Sequence, residues 1–191
     1  RAIFIESLAN PGGEFVDIEA IGNIARKHGL PLIVDNTLAT PYLVRPLEHG
    51  ADIIVHSLTK FIGGHGNSMG GMIVDGGTFD WSKSGNYPML SEPRPEYGGV
   101  VLHETFGNFA FAIACRVLGL RDIGPAISPF NAFQILTGCE TLPLRMQRHC
   151  DNAITVAGWL SNHPKVAWVS YPGLAGDKNH ALQKRYSPRG A

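Results

Sequence analysis

The chain has 191 residues, in which 16 Lys and Arg balance 16 Asp and Glu, so the formal charge is zero. With 44% hydrophobic and 17% charged residues, it has the composition of a globular protein with a buried core. Proteins that neutralise nucleic-acid phosphates or dock on anionic membranes carry clustered Lys and Arg, and no such run occurs, so neither nucleic acid nor a membrane is expected as a partner.

In chain order, Ile3-Phe4-Ile5 is a short run of strand formers ending at Glu6. An apolar strand so close to Arg1, with no initiating Met, reads as an internal stretch of a longer polypeptide. Asn10-Pro11-Gly12-Gly13 breaks the chain. Asp17 is placed to cap a helix carrying Ile18, Ile21, Ile24, Ala25 and His28, and Gly29 is placed to end it. Leu32-Ile33-Val34 is the next strand, closing on Asp35. A loop through Pro41 and a turn at 46–50 lead to Ile53-Ile54-Val55, closing on His56-Ser57. Uninterrupted apolar strands separated by a helix predict a parallel sheet covered on both faces.

Beyond this unit, a glycine-rich loop from Gly63 leads to a strand around Met72-Ile73-Val74, and residues 80–108 are irregular. Helices are expected at 109–120, 129–138 and 141–162, a strand at Val166–Tyr171 and a helix at Ala181–Tyr186. A composition change near residue 150 suggests two units, 1–150 and an incomplete 151–191 that begins with a linker helix. Cys115, Cys139 and Cys150 form no C-x-x-C and lie among apolar residues, as small buried hydrophobes do, which fits a reducing compartment. No run of about 18 apolar residues is present, so no membrane-spanning helix is expected.

Ligands of an open parallel sheet gather at the carboxyl ends of its strands. Asp35 closes one strand, and Ser57-Leu58-Thr59-Lys60 closes the next. A carboxylate can pair with a protonated ring nitrogen, two hydroxyls with backbone N–H groups can hold a phosphate, and a lysine amine can form a Schiff base. Pyridoxal 5'-phosphate (PLP) presents all three partners on one molecule. Taken singly, the same residues read as a turn-forming Asp, capping hydroxyls and a solvated charge, and pattern alone leaves both readings open.

Glu6-Ser7-Leu8-Ala9-Asn10-Pro11, Val34-Asp35-Asn36-Thr37 and His56-Ser57-Leu58-Thr59-Lys60 with Gly63-Gly64-His65 resemble the Cys/Met-metabolism PLP enzymes of fold type I, as does the spacing of 25 residues between Asp35 and Lys60. The stretch from Asn86 to Gly107 is similar to their O-acetylhomoserine sulfhydrylase branch. The resemblance runs over essentially the whole chain. It implies an α/β large domain with a mostly parallel sheet, followed by the start of a smaller α+β domain. It implies that Lys60 holds PLP as a Schiff base and shuttles protons, that Asp35 pairs with the pyridine N–H, and that Ser57 and Thr59 bind the phosphate. Asn10 would lie near the cofactor's phenolic oxygen and the substrate, and Thr37 would line the ring. Arg145, in the long helix, is assigned no role beyond structure or subunit contact.

The implied reaction is γ-replacement on O-acetylhomoserine by sulfide or a thiol, giving homocysteine or methionine and acetate. A γ-lyase, a cystathionine γ-synthase or a non-catalytic scaffold of the same fold are the alternatives. The implied setting is a cytoplasmic homotetramer built as a dimer of dimers. A glycine-rich phosphate segment and a stacking aromatic are implied before Arg1, and a substrate-carboxylate Arg after Ala191, so residues 1–191 alone are expected to bind PLP poorly.

Other signals are weaker. Gly63 to Gly70 matches neither G-x-x-x-x-G-K-[ST] nor G-x-G-x-x-G, and reads as a tight turn beside the lysine. No histidine pair has metal-ligand spacing, and His56 and His65 are expected to make structural hydrogen bonds. G-x-S-x-G is absent. Phe106, Phe109 and Phe111 are expected in a core or a subunit interface.

Overall fold

The structure, a computed structural model, describes residues 1–191. Four strands form one sheet in the order β1 (Ile3–Glu6), β2 (Leu32–Asp35), β3 (Ile53–Ser57) and β4 (Gly71–Asp75). β1, β2 and β3 are parallel, with Glu6 opposite Asp35 and Asp35 opposite Val55. β4 pairs with β3 antiparallel, Ser57 lying opposite Gly71. The parallel expectation therefore holds for the first three strands. The turn-rich connection from β3 to β4 contains no crossover helix, so the chain simply reverses direction.

Helix α1 (Ile18–Lys27) joins β1 to β2 and buries Ile18, Gly22 and Ala25 against the sheet. Asp17 caps it, accepting the Ala20 N–H at 3.1 Å, and Gly29 at φ 61° turns the chain out of it. A short helix α2 (Thr40–Leu43) and a 3-10 turn at Pro46–His49 link β2 to β3. Past β4 come α3 (Pro88–Ser91), α4 (Leu102–Phe106) and α5 (Ala110–Ala114), then α6 (Pro129–Cys139), α7 (Leu142–Ser161) and α8 (His180–Tyr186).

Two expectations are corrected. The single helix expected at 109–120 is short α5 running into a π-helical stretch, Cys115–Ile123. No residue of that stretch is fully buried, Leu118 packing only half-buried against the smaller core, and it contains Gly119, so packing and propensity hold ordinary α geometry weakly. The strand expected at Val166–Tyr171 does not form. The donors at its two ends bond locally instead: Val166 N–H bonds His163 O at 3.0 Å, and Tyr171 N–H bonds Asp177 Oδ2 at 3.1 Å. With no strand beside it, the segment has no ladder to join, and Trp168 stays exposed.

The main core joins Ile18 and Ala25 of α1, Leu32 and Val34 of β2, Leu142, Met146 and Cys150 of α7, and Tyr186 of α8. On α7 the buried residues Leu142, Met146, Cys150 and Ala157 are four, four and seven positions apart, giving one apolar stripe. A smaller core packs Ile53 against Trp81, Leu90, Leu102 and Ala110, with Trp81 stacked on Phe111 at 5.2 Å. All three cysteines are free thiols, and Cys150 lies in the main core. No helix is long and apolar enough to cross a membrane.

Tyr186 returns from α8 to the start of α1: its hydroxyl donates to Asp17 Oδ1 at 2.6 Å and accepts the Glu19 N–H at 3.2 Å. The Tyr186 bond first, then the Ala20 N–H and nearby Arg185, hold the Asp17 carboxyl below the usual carboxylate range. A carboxyl depressed in the native state stabilises above its unfolded pKa of about 3.9 and loses that contribution as pH falls through the native value. Asp17→Ala is therefore predicted to cost about 1 kcal/mol near neutrality through loss of the cap. The gap from the parent protein should close as pH drops below about 4, a trend that denaturant unfolding over a pH series checks.

Candidate functional site at the carboxyl edge of the sheet

Parallel pairing brings the carboxyl ends of β1, β2 and β3 to one edge, and a cleft of about 1020 Å³ opens there. Its lining includes Glu6 from β1, Asn10 beyond it, Asp35 and Thr37 from the end of β2, and Ser57, Thr59 and Lys60 from the end of β3. Every sequence-predicted site residue thus reaches one cavity. Strand alternation does the sorting: Ser57 faces this cleft, whereas His56 and Ile54 face a second, apolar cleft on the other side of the sheet.

The side chains are held by short local bonds. Asp35 Oδ1 accepts the Thr37 N–H at 2.9 Å, an Asx turn that fixes one carboxylate oxygen beside the strand end. Thr37 Oγ1 accepts the Ser57 N–H at 2.7 Å, so this hydroxyl ties the end of β2 to the end of β3. Ser57 is held by its backbone, which leaves its hydroxyl for the cleft. Thr59 Oγ1 accepts the Gly70 N–H at 3.2 Å and donates to Gly70 O at 3.4 Å. Asn10 N–H donates to Glu6 Oε2 at 2.9 Å, closing the loop that follows β1. Lys60 is exposed on a turn in which Lys60 O accepts the Gly64 N–H at 2.8 Å.

Beneath the edge, Ser7 Oγ donates to Asn36 Oδ1 at 2.7 Å, and Asn36 Nδ2 donates to Val44 O at 2.8 Å. This buried bridge joins the ends of β1 and β2 to the far end of α2. His56 is buried, with Nδ1 unpartnered, and burial lowers its pKa against the opposing effects of Asn36 and Asp35. His65 Nδ1 lies 2.9 Å from Gly63 O, a structural contact of the expected kind.

The far wall of the cleft is α7, which contributes Leu144, Arg145, Arg148 and His149. Sequence reasoning placed these residues on the long helix without connecting them to the strand ends. Their spacing puts three polar groups on one helix face, but does not tell a face toward a cleft from one toward solvent. Phe61 packs near His149, with ring centroids 5.3 Å apart, and joins the wall to the lysine turn. Glu6 is a further cleft residue that the sequence left without a role.

An amine, a carboxylate, two hydroxyls and an amide around one open cavity fit an aldehyde, a ring nitrogen and a phosphate on a single molecule. The sequence profile of the family described as Cys/Met metabolism PLP-dependent enzyme matches residues 1–191. The chain belongs to this family. Among curated Cys/Met-metabolism relatives, an O-acetyl-L-homoserine sulfhydrylase of Leptospira meyeri is 55% identical over 198 residues, covering 100% of this chain and 45% of the relative. A homocysteine synthase of Schizosaccharomyces pombe is 52% identical over 192 residues, again covering 100% of this chain and 45% of the relative. A solved structure from Campylobacter jejuni that contains N'-pyridoxyl-lysine-5'-monophosphate superposes with a TM-score of 0.93 at 41% identity, covering 98% of this chain and 46% of that one. The chain thus spans about half the length of the relatives it matches, and it has the α/β fold of these PLP enzymes.

Thr37 generates a test of how the cleft is assembled. Thr37→Val removes the acceptor of the Ser57 N–H while keeping the shape of the side chain. It is predicted to lower stability by about 1–3 kcal/mol, the cost of a stranded backbone donor. An unchanged denaturation midpoint would show that the two strand ends do not depend on this bond.

Proposed function

We propose that the whole protein carries out PLP-dependent γ-replacement on O-acetylhomoserine, joining sulfide or a thiol to the γ-carbon and releasing acetate. The observation that carries the reading is the convergence of Lys60, Asp35, Ser57 and Asn10 on one cleft at the carboxyl edge of the parallel strands. The names of the sulfhydrylase and homocysteine synthase relatives support the choice of reaction.

PLP, when bound, supplies an electron sink that stabilises negative charge beside the amino-acid carbons. Lys60 Nζ holds the cofactor in the resting enzyme and moves protons between adjacent carbons of the substrate during turnover. One amine serves as both base and acid because those carbons lie side by side. Asp35, with Oδ1 already anchored by the Thr37 N–H, offers its carboxylate to the pyridine nitrogen and keeps a proton there. The Ser57 hydroxyl binds the phosphate. Thr59 joins it at small cost, since its hydroxyl donates to Gly70 O only over a long 3.4 Å. Asn10 would lie near the cofactor's phenolic oxygen and the substrate, and Thr37, which joins β2 to β3, would line the ring. Arg148, exposed on α7 at the cleft, supplies positive charge suited to a ligand bearing carboxylate and phosphate.

The PLP-binding domain spans 1–150 in this reading, and α7 is the linker helix through which 151–191 begins a smaller domain. The protein is a cytoplasmic homotetramer arranged as a dimer of dimers. The exposed apolar side chains of Phe109, Phe130 and Phe133 support burial of these residues against further protein.

Lys60→Ala in the full-length protein is predicted to abolish the visible absorbance of the lysine-bound cofactor and to reduce turnover at least about 10³-fold, within the range of a lost acid–base group. Asp35→Asn is predicted to keep the cofactor but slow turnover about 10²-fold. Homocysteine formed from O-acetylhomoserine and sulfide is the measurement. Its absence, with breakdown of methionine or cystathionine in its place, would replace γ-replacement by elimination.

A further inference from the structure

We propose that Arg145 is a positioning residue for the Lys60 amine, its guanidinium fork selecting the one backbone conformation of the turn that carries Lys60. The inference rests on the reading of Lys60 as the cofactor lysine.

The Lys60 side chain is exposed, so the starting direction of its amine is set by the turn beneath it. Within that turn, Lys60 N–H bonds Ser57 O at 3.4 Å, Gly63 N–H bonds Leu58 O at 2.9 Å, and Gly64 N–H bonds Lys60 O at 2.8 Å. The next carbonyls, those of Phe61 and Ile62, are taken by Arg145. Nη1 donates to Phe61 O at 2.7 Å, and Nη2 donates to Ile62 O at 3.3 Å and to Gly138 O at 2.9 Å. Nε donates to Thr141 Oγ1 at 3.0 Å. One planar cation therefore joins the lysine turn to the last turn of α6, whose carbonyls have no partner within the helix, and to the residue preceding α7.

Glycines make the approach possible. Gly64 sits at φ 78°, and a Cβ built there would lie 2.6 Å from Arg145 Cζ. A Cβ on Gly63 would lie 2.7 Å from Leu58 O, and one on Gly138 would collide with the Gly63 carbonyl. The lysine turn, the end of α6 and the guanidinium are thus in direct contact, with no side chain between them. Lys in place of Arg supplies the charge but not four donors in fixed directions. The carbonyls of Phe61 and Ile62 would then turn to water, and the segment between Ser57 and Gly64 would sample other conformations.

The test uses the full-length holoenzyme with Arg145→Lys. The expected result is a folded protein whose dissociation constant for PLP rises about tenfold, the scale of one charge-assisted hydrogen bond. The pH titration of the lysine-bound cofactor's absorbance should move, and kcat should fall with KM little changed. A purely structural role would leave that titration in place once the protein is folded. A folded Arg145→Lys enzyme matching the parent in PLP affinity, titration and kcat overturns the proposal. If Arg145→Lys does not fold, Thr141→Val, which loosens the fork through one exposed hydroxyl, is read by the same criteria: a moved titration supports the proposal and a parental one overturns it. Lys60→Ala separates this from the underlying reading, because cofactor absorbance that survives in Lys60→Ala dismisses Lys60 itself, whatever Arg145 does.

Discussion

Backbone pairing between β1, β2 and β3 is the constraint on which the rest of the molecule depends. Because the three strands are parallel and nearly in step, with Glu6 beside Asp35 and Asp35 beside Val55, their polar ends must emerge along one edge. The apolar residues before those ends cannot host a charge without a large desolvation cost, so the ionisable groups collect at the rim. A cleft rich in carboxylate, hydroxyl and amine follows from the ladder, and the short bonds among Asp35, Thr37 and Ser57 keep it in shape.

The cleft is two-sided, and its sides differ in kind. The strand ends contribute groups fixed by an Asx turn at Asp35 and by the bonds of Thr37 to Ser57 and of Thr59 to Gly70. The α7 wall brings Arg145, Arg148 and His149, and Arg145 fastens that wall to the lysine turn through the carbonyls of Phe61 and Ile62, and to the end of α6 through Gly138 O. Lys60 is exposed on a turn whose next two carbonyls are bonded by a side chain from a distant helix. The close glycine contacts at Gly63, Gly64 and Gly138 are the steric counterpart of that arrangement.

The regular elements up to Ser57 were legible because their patterns are local. Asp17, the apolar positions of α1 and Gly29 announce a helix with both ends marked, and Leu32-Ile33-Val34 and Ile53-Ile54-Val55 announce buried strands. Elements that depend on distant partners were read less well. Val166–Tyr171 has the composition of a strand, but no neighbouring strand is present and the N–H groups at its two ends bond locally. The helix expected at 109–120 is divided where no residue of Cys115–Ile123 is fully buried to hold α geometry. The reversal of β4 reflects the missing crossover helix in its connection to β3.

The sequence by itself determined the identities and order of the groups at the strand ends: Asp35 after Leu-Ile-Val, and Ser57, Thr59 and Lys60 after Ile-Ile-Val. Strand periodicity and local turns place such residues without reference to the rest of the chain. Only the tertiary structure decided that α7, more than 80 residues beyond Lys60, forms the opposite wall, that Arg145 grips the lysine turn, and that Tyr186 of α8 returns to cap α1 with Asp17. Those contacts come from packing the apolar stripes of α1, α7 and α8 into one core, and which surfaces meet there is set by shape and burial over the whole chain, which no local spacing records.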